Sequence, residues 1–246
     1  MLVKLDWDSD HFGFRVARSE PSHAPVDALR ADLERAREEG VRLVYAFRDA
    51  APSVPAELLD EFGGRAVCTQ VAFRKLLLSE AGPPAPEGIR IERFTATVVP
   101  EDLQALAIEA GGFSRFRLDP GIPRPAFEAL YRTWCERSVR GELADHVLVA
   151  HGESGDRLGL VSVARSDDPE CGRIGLLSVN PRWHRFGIAT ALMSAAEDRM
   201  REAGCREAMV VTQQENVEVC RFYRSCGYRE ESCQRAFHFW LGEAAS

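Results

Sequence analysis

Residues 177–190 read LSVNPRWHRFGIAT, and the reading of this stretch decides the fold. It closes an apolar run, RIGLLSV at 173–179, with the composition of a buried strand. Asn180-Pro181 ends that run, because proline has no N–H to give a sheet and turns the chain outward. A short basic loop follows. Gly187-Ile188-Ala189-Thr190 then opens a helix whose apolar positions Ile188, Leu192, Ala195, Ala196 and Met200 keep helical spacing. A strand passing through a small-residue turn into a helix start is an anion site, since the first helical N–H groups are free and the dipole favours negative charge there. The spacing is neither that of a Walker loop, G-x-x-x-x-G-K-[ST], nor that of a dinucleotide fingerprint, G-x-G-x-x-G.

Working outward, 207–212 (EAMVVT) is a strand, 217–226 a helix stopped by Gly227, and 236–241 (AFHFWL) a closing strand. Upstream, 146–150 and 157–164 form a hairpin across a Gly-rich turn. Residues 125–140 form a helix with Phe127, Leu130, Tyr131 and Trp134 on its core face; 100–110 is another helix, and 89–94 a strand. The stretch SEAGPPAPEG, 79–88, has three prolines, two glycines and no large apolar residue, and reads as a linker. Before it, 2–18 reads as two strands about an Asx-type turn with Gly13 at the bend, and Asp10 or His11 is a candidate ligand contact. A helix at 26–36, a strand at 41–47, a helix at 54–62 and a strand at 67–78 complete an α/β unit. The expected organisation is a small N-terminal α/β domain at 1–80, a linker at 81–88 and a second α/β domain at 89–246.

At 246 residues and 45% apolar the chain can bury one large core or two small ones. A net charge of -7, with arginines dispersed among acids, argues against nucleic-acid binding. No apolar segment approaches the ~20 residues of a membrane span, and the N-terminus turns acidic without the apolar core of a secretory signal. The seven cysteines are odd in number and include no C-x-x-C pair, so they signal neither zinc nor a disulfide framework. These features predict a reduced, soluble, cytoplasmic protein with no metal and no membrane or nucleic-acid partner.

His184-Arg185-Phe186-Gly187-Ile188-Ala189 resembles the coenzyme-A loop of the GNAT acyltransferases, [QR]-x-x-G-x-[GA]. Gly187 and Ala189 match, His184 replaces the leading Arg or Gln, and Arg185 stands where glycine is common. Residues 216–223 (NVEVCRFY) with Cys226-Gly227-Tyr228 are similar to the family's N-x-x-A-x-x-x-Y…G-[FY] helix, Val219 replacing alanine. The two motifs, in this order, place 89–241 in a GNAT acyl-CoA N-acyltransferase fold. The resemblance implies acetyl-CoA as co-substrate, in a cleft between two splayed strands, 173–179 and 207–212, whose pairing Pro181 and the bulge before it interrupt. The pantetheine arm would bond the backbone of Leu177 and Val179. The loop from His184 would carry the pyrophosphate on the N–H groups of Arg185, Phe186, Gly187, Ile188, Ala189 and Thr190, with Asn216 holding the coenzyme from the other side. A strand N–H would polarise the thioester carbonyl, and Tyr223 would protonate the departing thiolate as general acid. An alkyl ammonium of pKa ~10.4 must lose a proton before attack; Glu170, His238, Glu215 or a water chain would take it.

Outside the two motifs, 5–13 (LDWDSDHFG), 113–120 (FSRFRLDP) and 212–216 (TQQEN) resemble the dTDP-fucosamine acetyltransferases. That branch implies N-acetylation of a 4-amino-4,6-dideoxyhexose on dTDP. The residue types suit such an acceptor: Arg115 and Arg117 for a diphosphate, Ser114 and Asp119 for hydroxyls, Phe113 or Phe116 for a base. The alternative for this segment is a surface loop whose arginines pair with neighbouring acids. No Cys or Ser arrangement demands an acyl-enzyme, so transfer is expected to be direct, in a ternary complex. A GNAT enzyme for another small amine (an aminoglycoside, polyamine or natural-product amine) and a non-catalytic coenzyme-A sensor remain as alternatives. A homodimer through the C-terminal strands and a monomer fit the sequence equally.

Overall fold

The computed structural model describes residues 1–49, 54–77 and 82–242. Among them ten strands form one sheet: β1 (Leu2–Lys4), β2 (Val16–Ser19), β3 (Leu43–Arg48), β4 (Gly64–Leu76), β5 (Arg90–Arg93), β6 (His146–His151), β7 (Arg157–Arg165), β8 (Cys171–Val179), β9 (Glu207–Gln213) and β10 (Arg229–Trp240). Their order is β1-β2-β3-β10-β4-β9-β8-β7-β6-β5. The helices are α1 (Asp6–Phe12), α2 (Val26–Glu38), α3 (Ala56–Glu61), α4 (Glu101–Ala110), α5 (Arg115–Leu118), α6 (Arg124–Val139), α7 (Ile188–Glu202) and α8 (Val217–Ser225).

The Pro-rich stretch expected to separate two domains does not divide this sheet. β4 precedes it, yet lies between β9 and β10, which both follow it. The pairing is continuous on the β9 side, from Gln70 opposite Gln213 to Leu76 opposite Glu207. The physical reason lies in the β4 side chains: Val71 and Phe73 are buried in the same core as Val210, Leu192 and Tyr223. Linker composition reports where a chain is extended, not which strand edge the preceding strand will fill. Leu78, with which the expected strand ends, and residues 79–81 of the expected linker lie outside the described residues.

Three apolar clusters sandwich the sheet. α7 and α8 cover one face, packing Leu192, Met200 and Tyr223 on Ile174 and Val210. Leu103 of α4 and Phe127 and Leu130 of α6 cover the other, over Leu160 and Tyr45. α2 and α3 bury Leu29, Leu33 and Leu58 with Val44 and Phe239. The stripe read from 125–140 is core, with Phe127, Leu130 and Tyr131 buried.

The segment read as two strands about a turn is instead α1. Ser9 donates both its N–H and its hydroxyl to the Leu5 carbonyl, at 2.9 and 2.7 Å, and Gly13 closes the helix at φ 73°. Seven residues are too few for periodicity to separate a helix from a strand; aromatic packing decides. Trp7 stacks on His11 one turn on, at 5.4 Å, and Trp7 also packs against Trp134. The His11 ring bonds the Ala126 carbonyl of α6, at 3.1 Å.

A fragment starting at Ile89 leaves β9 and β10 with open edges where β4 stood and removes Phe73 from the core. It is expected to show no cooperative thermal transition by near-UV circular dichroism, while the full chain shows one; an intact transition in the fragment would restore a separable domain.

Candidate active site

β8 and β9 run parallel and pair only from Cys171–Ile174 with Glu207–Val210. Beyond that point β8 continues to Val179 and β9 to Gln213 without facing each other, and the sheet opens. The cause is a bulge. On β7, Val163 lies opposite Ile174 and Val161 opposite Leu177, so three residue steps on β8 meet two on β7. The displaced Leu176 N–H donates to the Ser162 hydroxyl at 2.7 Å, and a Cβ on Gly175 would stand 2.7 Å from that oxygen. A bulge increases local twist and bends its strand, which swings the end of β8 away from β9. Pro181, expected to share this role, comes only after β8 has ended and starts a short 3₁₀ turn, Pro181–Trp183.

The loop that follows presents its backbone. The His184 ring bonds the Val179 carbonyl at 2.9 Å, so His184 ties the loop to the end of β8 and occupies that carbonyl. The chain then enters the left-handed region twice, at Arg185 (φ 68°) and Gly187 (φ 77°). Among the described residues no backbone carbonyl or capping side chain accepts from the amides of Arg185, Phe186, Gly187, Ile188, Ala189 or Thr190. Buried Ile188 anchors the run, and the N-terminus of α7 adds its dipole.

Across the opening, Asn216 caps α8 by accepting the Val219 N–H at 3.3 Å. Tyr223, two turns along, is buried against Phe73 and Tyr228, with ring centroids at 5.7 and 6.0 Å. Burial, and secondarily Cys226 and Cys220, raises its hydroxyl pKa above the ordinary value, so it stays protonated at neutral pH. Of the expected bases, Glu170 sits at the paired end of β8, where its carbonyl accepts from Arg206 and Glu207. Glu215 follows β9 at the open end, its carboxylate accepting the Thr69 N–H at 2.9 and 3.2 Å.

The segment expected to bind the acceptor divides. Ser114 is buried and caps α5 by accepting the Arg117 N–H at 3.3 Å. Phe116 is core, so it cannot stack on a base; Phe113 and Arg117 are exposed. Asp119 is 1% exposed. One of its oxygens accepts from Gly121 N–H at 2.9 Å, the other from His238 Nδ1 at 2.6 Å and Trp240 Nε1 at 2.9 Å. Expected to meet hydroxyls, Asp119 has both oxygens engaged inside the protein. The Arg115 guanidinium lies 3.8 Å from the Tyr45 ring centroid and 3.9 Å from that of Phe116, and its Nη1 reaches His238 Nε2 at 3.2 Å.

These contacts define the state of His238. Its Nδ1–H donates to Asp119, so Nε2 accepts from Arg115 and the ring is neutral. Burial drives its pKa down to about 4, against the pull of the Asp119 hydrogen bond and with help from Arg115. Asp119 is pushed up by burial, but the hydrogen bonds from His238, Gly121 and Trp240 outweigh that and hold it below the ordinary value. His238 is enclosed and cannot take a proton directly from an amine. Sequence reasoning missed Tyr45 altogether. A histidine inside the apolar run AFHFWL was the one available signal of a buried polar contact.

Residues 114–228 match the acetyltransferase (GNAT) family. The chain carries a GNAT acetyltransferase domain. Its fold is the GNAT fold, and the family uses acetyl-CoA as co-substrate. A GCN5-related N-acetyltransferase from Sphaerobacter thermophilus superposes with a TM-score of 0.62 at 18% identity, over 100% of this chain and 78% of that one, a likeness of fold alone. The spore coat polysaccharide biosynthesis protein SpsD of Bacillus subtilis (strain 168) is 26% identical over 166 residues, 68% of this chain and 52% of that protein. The aminoglycoside N(6')-acetyltransferase type 1 of Stenotrophomonas maltophilia is 31% identical over 91 residues, 34% of this chain and 60% of that protein. The chain thus spans between half and two thirds of the length of these two relatives. Among the described residues no helix is long and apolar enough to cross a membrane, and no group of three or more His, Cys, Asp or Glu is placed to hold a metal ion.

Gly175→Ala is expected to close or distort the opening, since its methyl group collides with the Ser162 hydroxyl. Calorimetry should show coenzyme-A affinity falling by about tenfold or more, the loss of one or two charge-assisted backbone contacts. The His238 pKa carries a second expectation. A folded-state value of about 4, below the ordinary 6.5, means the unfolded chain binds the extra proton first as pH falls. Stability from this group is therefore full above about pH 6.5 and is lost toward pH 4, by up to ~1.4 kcal/mol per pH unit. Urea titrations at pH 7, 6 and 5 should show that slope in the wild type and a shallower one in His238→Gln.

Proposed function

We propose that the protein N-acetylates the primary amine of a small sugar nucleotide, with acetyl-CoA as donor, by direct transfer in a ternary complex. The observation that carries the reading is the β8–β9 opening, bordered by the amides of residues 185–190, for which no acceptor is found among the described residues; Tyr223, buried in α8 beyond Asn216, is the proton donor we assign to it. Acetyl-CoA supplies the activated acyl group. The amides of Arg185 to Thr190 hold its pyrophosphate, with the dipole of α7 and the Arg185 charge adding to them. The unpaired edge of β8 at Leu177 takes the pantetheine arm. Val179 contributes its position there, its carbonyl being held by His184. Asn216 borders the opening from α8, and its side-chain NH₂ is free of the cap contact made by its oxygen.

Tyr223 serves as general acid, giving its proton to the sulfur as the C–S bond breaks while the amine nitrogen bonds the carbonyl carbon. The nitrogen must shed a proton, and of the three candidate bases Glu215 is the one at the open end, acting directly or through water. Glu170 stands at the closed end, and His238 is committed to Asp119 and Arg115.

Two observations support a sugar-nucleotide acceptor over other amines. The Bacillus subtilis relative, which matches 68% of this chain, is named for spore coat polysaccharide biosynthesis, and Arg115 and Arg117 bring positive charge to the segment assigned to the acceptor. The aminoglycoside acetyltransferase relative supports a second reading, a cationic amine.

A thiol-release assay with acetyl-CoA against dTDP-amino sugars, aminoglycosides and polyamines separates these readings. The sugar-nucleotide acceptor is expected to give the highest kcat/KM; preference for an aminoglycoside or polyamine would reject it. Tyr223→Phe is expected to lower kcat by about 10²-fold with little change in KM for acetyl-CoA. Unchanged kcat would remove Tyr223 from the chemistry, and absence of thiol release with every amine would favour a coenzyme-A sensor.

A further inference from the structure

Away from the opening, β3 ends in Arg48, whose side chain is only 2% exposed. In the β3–β10 ladder Arg48 stands directly opposite Arg235. Two residues earlier on β3, Ala46 faces Phe237, and both are buried in the cluster formed with α2 and α3. Side chains two apart on a strand share a face, so both arginines project on the α2–α3 side of the sheet. Like charges directly opposite in an antiparallel pair destabilise it. Among the described residues no carboxylate forms an ion pair with either arginine. Asp49 is the nearest acid in the chain, and its Oδ1 accepts from Gln234 Nε2 at 3.0 Å.

The Arg48 guanidinium is incompletely answered by the protein. Its Nη2 donates to the Ala24 carbonyl, while its Nε is buried with no partner. Burial lowers the Arg48 pKa, and the Asp49 charge offsets this only in part. A guanidinium keeps its proton at neutral pH all the same. A buried charge without a counter-ion and a buried donor without an acceptor are each costly. Both adjoin a cavity of about 130 Å³, lined by Arg48, Arg235 and Asp49 and by an apolar wall that includes Leu59 and Phe237. Arg235 is exposed, its guanidinium 5.9 Å from the Phe237 ring centroid, so it stands at the mouth and Arg48 at the inner end.

We propose that this cavity between Arg48 and Arg235 is a binding site for a phosphate group, separate from the acetyl-transfer cleft. β10 and β4 lie between β3 and β9, so two whole strands part the cavity from the β8–β9 opening. Its size suits a group and not a nucleotide. The volume is several times the ~30 Å³ share of one water in the liquid and well under the ~300 Å³ at which pockets for drug-sized ligands begin. Arginines from two strands meet one ligand from two directions, and a phosphate brings three strong acceptor oxygens with which to face both. A carboxylate has two, which one guanidinium fork already fills.

The charges of the lining make the assignment testable by sign. Two arginines against one aspartate leave it net positive. Asp49 opposes the ligand that the arginines attract, so removing its charge should tighten binding, while removing either arginine should weaken it. Side chains that served only to fill space or hold the β3–β10 pairing would show no such reversal. The site is independent of acetyl transfer, since none of its residues borders the opening.

The test is calorimetry on the full chain in phosphate-free buffer, saturated with coenzyme A so that the amides of residues 185–190 are occupied. Inorganic phosphate and acetate are the probes. Phosphate is expected to bind the wild type and acetate to bind at least about tenfold more weakly. Arg48→Gln should weaken phosphate by about tenfold or more, the loss of a charge-assisted contact. Arg235→Gln lies at the surface, where the fold tolerates it, and should weaken phosphate by about threefold or more. Asp49→Asn should strengthen it by about threefold, and coenzyme-A affinity should change less than twofold in all three variants. No phosphate binding to the wild type, wild-type affinity in Arg235→Gln, or acetate binding as tightly as phosphate would overturn the site. If coenzyme A itself does not bind, the acetyl-transfer reading fails on its own, and the same phosphate titrations of wild type and variants still decide the anion site.

Discussion

The site depends on one extra residue in one strand. Because β8 spends three residues where β7 spends two, the Leu176 amide must find a partner outside the ladder, and the Ser162 hydroxyl supplies it at 2.7 Å. Gly175 permits the close approach, since any side chain there would occupy the place of that hydroxyl. The bent strand parts from β9 after Ile174, and everything assigned to the coenzyme side follows from that parting. The free edge of β8, the loop tied back by His184 and the start of α7 all lie beyond the point where pairing stops. A buried sheet ordinarily satisfies its backbone groups along its whole length. Leaving several residues of two central strands without each other is stable where water or a ligand takes their place.

A second constraint joins the two ends of the chain. β4 fills the gap between β9 and β10, and β10 in turn pairs with β3. The N-terminal segment is therefore structural material for the domain that its sequence precedes. It also brings chemistry. Tyr45 of β3 meets Arg115 of α5 and His238 of β10 at one point, where three segments far apart in sequence share a buried polar chain ending at Asp119. Such a chain is stable because every member has a matching partner: carboxylate to N–H, ring nitrogen to guanidinium, guanidinium to aromatic faces. His238 kept neutral is part of that match.

Legibility in the sequence followed the range of the interactions. Helices such as α2, α6 and α7 carry regular apolar stripes over 13 to 16 residues, enough turns for period alone to identify them. The loop into α7 was readable because Gly187, Ile188 and Ala189 set local backbone geometry, and a motif records local geometry. α1, seven residues long, was misread because its helical form is selected by Trp134, Phe116 and Ala126, none of which is nearby in sequence. In the segment 113–120 the side chains expected to meet an acceptor are largely engaged inside the protein. Ser114, Phe116 and Asp119 have side chains that suit a sugar nucleotide, and the same properties make them a cap, a core residue and a buried acceptor.

By itself, then, the sequence determined the succession of strands and helices from 89 onward except the one-turn α5, the interruption after 179, and the residues of the loop and helix that flank the opening. All of these depend on neighbours within a few turns of the chain. Only the tertiary structure decided that β4 belongs inside the sheet, that the expected bulge opens it without a part for Pro181, and that Asp119 serves His238 instead of a ligand. Those outcomes depend on which surfaces meet between separate elements of the chain, 14 residues apart for Ser162 and Leu176 and 119 for Asp119 and His238, where burial and the need to pair each buried polar group select one arrangement among many that local pattern permits.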